Sequence, residues 1–346
     1  MTNDHTDLDG AAGDDLDADD PAQLESPELL PEPGEVLTEL RAAGSFDPVH
    51  LKALSEPSPE LLALCLGLWP DLEPERRREV LAAMQQLADE QATLDFHRIH
   101  LTALRDPDPA TRMLAVRGLW EDERPEYMHV LLAQLRDDAS AAVRAELAGA
   151  LGGYIVGMEF GLMSEDDAEL LTATLREVVE DIQEQDEVRG RALEALGASS
   201  EESTAELIGE MYELGNHRLQ VASLRAMGRS ASDGWLDLLV FHFDDEDSEV
   251  RAVAAEAAGG LLLDAAVGPL TMLATEDVDE DVQRAAIGAL GEIANDESER
   301  VLTRFLEERA EAHIVDAARD ALTQLHLMTM DPLDDTDRGP IFEEER

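Results

Sequence analysis

Lysine is almost missing from this chain. Lys52 is the only one in 346 residues, and 26 basic side chains face 79 acidic ones, a formal net charge of −53. Binding nucleic acid depends on Lys and Arg neutralising phosphates and releasing counterions, so this balance argues against a nucleic-acid ligand. An anionic membrane surface is disfavoured by the same repulsion. The partners left are basic or apolar proteins and peptides. Two causes fit the acidity, a surface adapted to high salt and a surface that repels most neighbours. Cysteine is as scarce. Cys65, in the apolar stretch LLALCLGLW, has no second cysteine to pair with, and it reads as a small buried thiol rather than a nucleophile. Nor does any run approach the ~20 apolar residues of a membrane span. The opening MTNDHTDLDGAAGDDLDADD lacks the basic start and apolar centre of a secretion signal. The expected compartment is the cytoplasm.

What the chain has instead is a repeat. RAVAAEAAG, from Arg251, returns as QRAAIGALG from Gln283, 32 residues later. The same nine-residue frame can be laid down eight times, starting at Leu61, Arg112, Arg144, Arg189, Gln220, Arg251, Gln283 and Val315, with intervals of 51, 32, 45, 31, 31, 32 and 32. Periods of this size mark a solenoid. The seventh frame position is small throughout: Gly67, Gly118, Ala150, Ala195, Ala226, Ala257, Ala289 and Ala321. Small side chains there let helix axes approach closely. The eighth position is apolar, and so is the residue before the frame in six copies, which makes one buried helix face. Gly152, Gly197, Gly228, Gly259 and Gly291 fill the ninth position and predict a left-handed residue just beyond the helix end. A second helix follows, at 204–212, 235–243, 265–274 and 299–308. Neither helix can bury its face alone, so stability must come from stacking on neighbouring units.

Asp186, Val188 and Arg189 followed by Ala195, Leu196 and Gly197 give the pattern D-x-V-R then A-L-G. This resembles the HEAT-repeat family, in the short form found in the HEAT-like repeats of phycobiliprotein lyases, over about residues 49–327. The resemblance implies an all-α fold, a right-handed α-solenoid of about eight helical pairs, with the second helices lining the concave face. It also implies that Arg112, Arg144, Arg189 and Arg251 bond an Asp near the turn of the adjacent unit, with Asp138, Asp186 and Asp247 available. The other reading of these arginines is a binding stripe. Three regions are expected: an acidic disordered tail at 1–33, the solenoid at 34–327 and a second acidic tail at 328–346.

Two segments break the period. HLKALSEPSPELLALCLGLW, from His50, matches HLTALRDPDPATRMLAVRGLW, from His100, so the N-terminal third reads as a longer duplicated unit with an added helix at 74–88. Trp69 and Trp120 stand where later units have glycine; each either fills a wedge between units or lines a groove. The second break, at 153–163 (GYIVGMEFGLM), reads as an apolar, glycine-punctuated loop. Tyr154, Phe160 and Leu162 on this loop are candidate partner-binding residues, with Trp235 and Phe241 of a later unit as an extension, because exposed apolar patches tend to mark interfaces.

Catalytic chemistry has little footing. His97 and His100 could share a helix face for a metal, but no E-x-x-H accompanies them, and no metal or cofactor is expected. HEAT-like deoxyhypusine hydroxylases hold iron with His-Glu dipeptides, whereas no histidine here is followed by Glu. Asp277, Asp279 and Asp281 imitate a calcium loop without its glycine or final glutamate and read as helix-start acids. The expected function is a non-catalytic scaffold or adaptor for a protein or peptide. The alternative is an accessory subunit of an enzyme, of the HEAT-like lyase type.

Overall fold

The computed structural model describes residues 30–120, 124–214, 216–230, 232–307 and 311–329. Of the tails expected at 1–33 and 328–346, all but the inner ends lie outside these residues. The regular structure described is helical throughout. In chain order the α-helices are α1 (Pro33–Arg41), α2 (Pro59–Leu68), α3 (Pro74–Glu90), α4 (His97–Ala103), α5 (Pro109–Arg117) and α6 (Pro125–Asp137). Then come α7 (Ala141–Ala150), α8 (Gly152–Glu159), α9 (Glu165–Glu180), α10 (Asp186–Leu196), α11 (Glu202–Glu213) and α12 (His217–Arg229). The last are α13 (Leu236–Phe241), α14 (Ser248–Gly260), α15 (Val267–Glu276), α16 (Glu280–Ile293), α17 (Asp296–Glu307) and α18 (Ala312–Thr329).

Local sequence explains where these helices start. Pro33, Pro59, Pro74, Pro109 and Pro125 each open a helix, where a missing N–H costs nothing. Ser58, Asp108, Ser164, Asn216, Asp247 and Asp279 cap helix ends by accepting backbone N–H groups.

One layer is a continuous stack of first helices, α3, α5, α7, α10, α12, α14, α16 and α18, each packed on the next. The second helices α4, α6, α9, α11, α13, α15 and α17 lie against this stack, giving seven pairs and an eighth first helix. The fold is an all-α solenoid. The ninth-position glycines do not end helices in a left-handed conformation; among the described glycines only Gly44 and Gly161 have positive φ. They are there because backbones touch. A Cβ on Gly228 would lie 2.4 Å from Ala257 Cα, and one on Gly259 would lie 2.6 Å from Ala289 Cα. Each ninth-position glycine thus seats the seventh-position alanine of the next unit. Such backbone contact spaces the first helices more closely than the second ones, so the stack bends toward the first helices. A groove lined by Arg117, Glu146, Arg191, Glu194 and Arg225 runs over them. The second helices, expected on the concave side, take the outer one.

The N-terminal register also differs from the expectation. Gly67 is exposed with nothing near it, so α2 does not occupy the seam. The supposedly added helix α3 does, burying Val80, Leu81, Met84 and Leu87. Its Arg77 Nε stands 3.2 Å from the Asp106 carboxylate, which makes Arg77, not Leu61, the first frame residue of the stack.

The arginine series is structural. Arg112 donates to both oxygens of Asp138 at 2.8 Å, and Arg251 donates to both oxygens of Asp277 at 2.7 and 3.0 Å. Arg144 pairs with Glu184 instead of an aspartate, at 2.6 and 2.8 Å. Arg112, Arg144 and Arg251 also donate to the carbonyls of Asp106, Asp138 and Asp245, six residues earlier, and Gln283 keeps this contact through the Asp277 carbonyl. Asp138 and Asp277 therefore bind one unit through the side chain and the next through the backbone. Arg189 donates to Asp186 of its own helix and to the Val179 carbonyl, while Asp247 accepts from His217.

Candidate functional site

The segment expected as a loop is helix α8, closed by Gly161 at φ 71°. Tyr154 is only 3% exposed and its hydroxyl donates to the Arg124 carbonyl, so it belongs to the core and cannot meet a partner. Phe160, 77% exposed, and Leu162 project outward at the end of α8. Trp235 is half-buried against the core, and its indole N–H has no hydrogen-bond acceptor among the described residues. Phe241 is 71% exposed, edge-on to His242. The structure does not bring these five together: α8 packs on α7, α9 and α10, whereas α13 packs on α14.

The two tryptophans that sequence treats alike part company. Trp69 donates its indole N–H to Asp106 at 2.7 Å, joining the Arg77 pair, and so wedges the first units together. Trp120 is 64% exposed and lines a cleft of about 500 Å³ between the C-terminal ends of α3 and α5. Gln85, Asp89, Leu94, Phe96, His97 and His100 also line it. Gly118 makes the floor possible, since a Cβ there would sit 2.1 Å from the His100 ring. His100 donates from Nδ1 to the Phe96 carbonyl at 3.1 Å, and its Nε2 is buried against Gly118. Burial pushes this imidazole down to about 4, so it is neutral at ordinary pH.

His97 faces the surface, where Asp95 and Arg124 hold it. Among the described residues no three potential ligands gather into a metal cluster. Asp279 caps α16 and Asp277 holds Arg251, so the aspartate series beside them serves the repeat. Burial raises the Cys65 thiol to about 11, which keeps it protonated and poorly nucleophilic.

An all-helical stack whose units interlock through glycine, alanine and arginine defines a helical-repeat protein. The sequence model of HEAT repeats matches residues 100–185 and 172–259, so the middle of the chain is built of HEAT repeats. No curated protein matches it in sequence. Among solved structures, Escherichia coli YibA is 15% identical over 82% of this chain and 98% of its own, with a TM-score of 0.42. Kap121p bound to Pho4p is 13% identical over 77% of this chain and 33% of its own, with a TM-score of 0.45. Human deoxyhypusine hydroxylase in complex with glycerol is 17% identical over 71% of this chain and 98% of its own, with a TM-score of 0.31.

Proposed function

We propose that this protein is a non-catalytic scaffold that binds a basic or apolar protein segment on the outside of its solenoid. The observation that carries this reading is the end of α8. There a helix inserted into the repeat presents Phe160 and Leu162, with Val156 exposed one turn before, on an otherwise strongly acidic surface. Large apolar side chains with a charged surround are what an interface core and rim require. No described helix is long and apolar enough to cross a membrane.

The test is affinity capture with wild type and the Phe160→Ser, Leu162→Ser double variant. The reading expects the variant to keep its melting temperature and lose a partner that wild type retains. A variant that captures the same proteins as wild type would show that the patch binds nothing.

A further inference from the structure

The cleft beneath Trp120 carries polar groups that the fold does not use. Asp89 and Gln85, one turn apart on α3, line it without a hydrogen-bond partner among the described residues, and the His100 ring, only 2% exposed, closes its floor against Gly118.

The free groups in the cleft share one character. The Asp89 carboxylate accepts only, and the Gln85 carbonyl can accept too. The one cation of the lining that lies near Trp120, Arg117, is neutralised by two hydrogen bonds to Glu146, at 2.9 and 3.1 Å. His97 is held by its bonds at the surface. Trp120 adds an exposed indole face. An acceptor-lined cleft with one carboxylate and one aromatic plate suits a flat, donor-rich cation, and a guanidinium supplies five N–H donors in a plane that stacks on indole. A neutral or anionic ligand would leave Asp89 unpaired or repelled, and the surrounding charge would add to that repulsion.

We infer that the Trp120 cleft binds the guanidinium of an arginine side chain presented by a partner peptide. The inference rests on the scaffold reading and gives its partner a chemistry. The site lies in the first units of the stack, between α3 and α5, and is distinct from the patch at the end of α8.

The experiment is calorimetric titration of acetyl-Gly-Arg-Gly-amide, and of the same peptide with citrulline for arginine, at ~0.3 M NaCl, where exposed charges are screened beyond several ångströms. Wild type should bind the arginine peptide at one site and the citrulline peptide at least tenfold more weakly. Trp120→Ala and Asp89→Asn, both exposed changes, should each weaken arginine binding about fivefold or more, while Phe241→Ala should leave it unchanged. If both cleft variants bind the arginine peptide as wild type does, attraction is spread over the acidic surface and the inference fails. Equal binding of citrulline would overturn it too, since the cleft would then not read charge. Failure here leaves the scaffold reading standing if the Phe160, Leu162 variant loses its partner. Loss of neither partner nor peptide would refute both.

Discussion

At the scale of the residue, His100 shows how one glycine and one imidazole build a site. Gly118 was legible as a small-column residue, but its reason differs from that of the other copies: the space it leaves holds a histidine ring rather than a neighbouring helix. Nothing in the spacing of His97 and His100 separates a half-buried, bonded ring from a fully buried one, because that depends on which helix covers them. Burial has a consequence for stability. The imidazole titrates near 4 in the folded chain against an ordinary 6.5, so as pH falls through that window the unfolded chain takes up a proton that the folded chain refuses. Stability should therefore be complete above about pH 6.5 and decline toward pH 4, by on the order of 2–3 kcal/mol from this group. Urea midpoints measured across that range should fall more steeply for wild type than for His100→Gln. The ladder acts lower on the scale. Burial, the largest single influence, would raise Asp138 and Asp277, but hydrogen bonds from Arg112, Ser140 and Gln134 to the one and from Arg251 and the Asp279 and Val278 backbone to the other, with the arginine charges, together hold both below the usual carboxylate range. Arg144 holds Glu184 down in the same way. Their contribution is present at neutral pH and is lost only as pH falls through these depressed values. Parallel slopes for wild type and His100→Gln would show that His100 is solvated.

At the scale of the element, α8 and α3 mark the limits of the sequence reading. Glycines at 153, 157 and 161 suggested a loop, yet the first two fall within a helix that packs against α7, α9 and α10, and a Cβ on either would meet only ordinary contacts, at 3.6 Å for Gly153 and 4.0 Å for Gly157. Tertiary packing outweighs the ~1 kcal/mol that glycine costs a helix. Periodicity placed Val80, Leu81, Met84 and Leu87 correctly on one face of α3. It could not show that this helix, rather than α2, joins the stack, because α2 carries the better copy of the motif and the deciding contact, Arg77 with Asp106, spans 29 residues. The division of α8 into a buried and an exposed end gives a prediction. Tyr154→Ala should cost about 3 kcal/mol or more, as large-to-small changes in a core do, whereas Phe160→Ala should stay within about 0.5 kcal/mol of wild type. Equal effects in thermal melts would mean that α8 is not seated as described.

At the scale of the whole molecule, two forces oppose each other. A charge of −53 repels itself, and screening shortens from about 30 Å at 0.01 M salt to about 3 Å at 1 M. The melting temperature should therefore rise with NaCl over that range, and a flat or falling curve would mean that the acidic surface is not strained. Against this repulsion stands the seam, where ninth-position glycine meets seventh-position alanine from unit to unit. The repeat and its period were plain in the sequence; the glycine's role was not, since a helix end and a helix contact both call for the smallest residue. One pair of substitutions separates the two. Gly288 lies in α16 with nothing within 4 Å of a built Cβ, whereas a Cβ on Gly228 would meet the Ala257 backbone. The chemical change to alanine is identical, and helix propensity favours it by roughly 0.5–1 kcal/mol at both sites. Urea unfolding should show Gly288→Ala stabilised by about that amount and Gly228→Ala destabilised by about 1–3 kcal/mol through overpacking. Opposite signs are what a glycine–alanine seam predicts; a Gly228→Ala protein as stable as wild type, or more so, would contradict it.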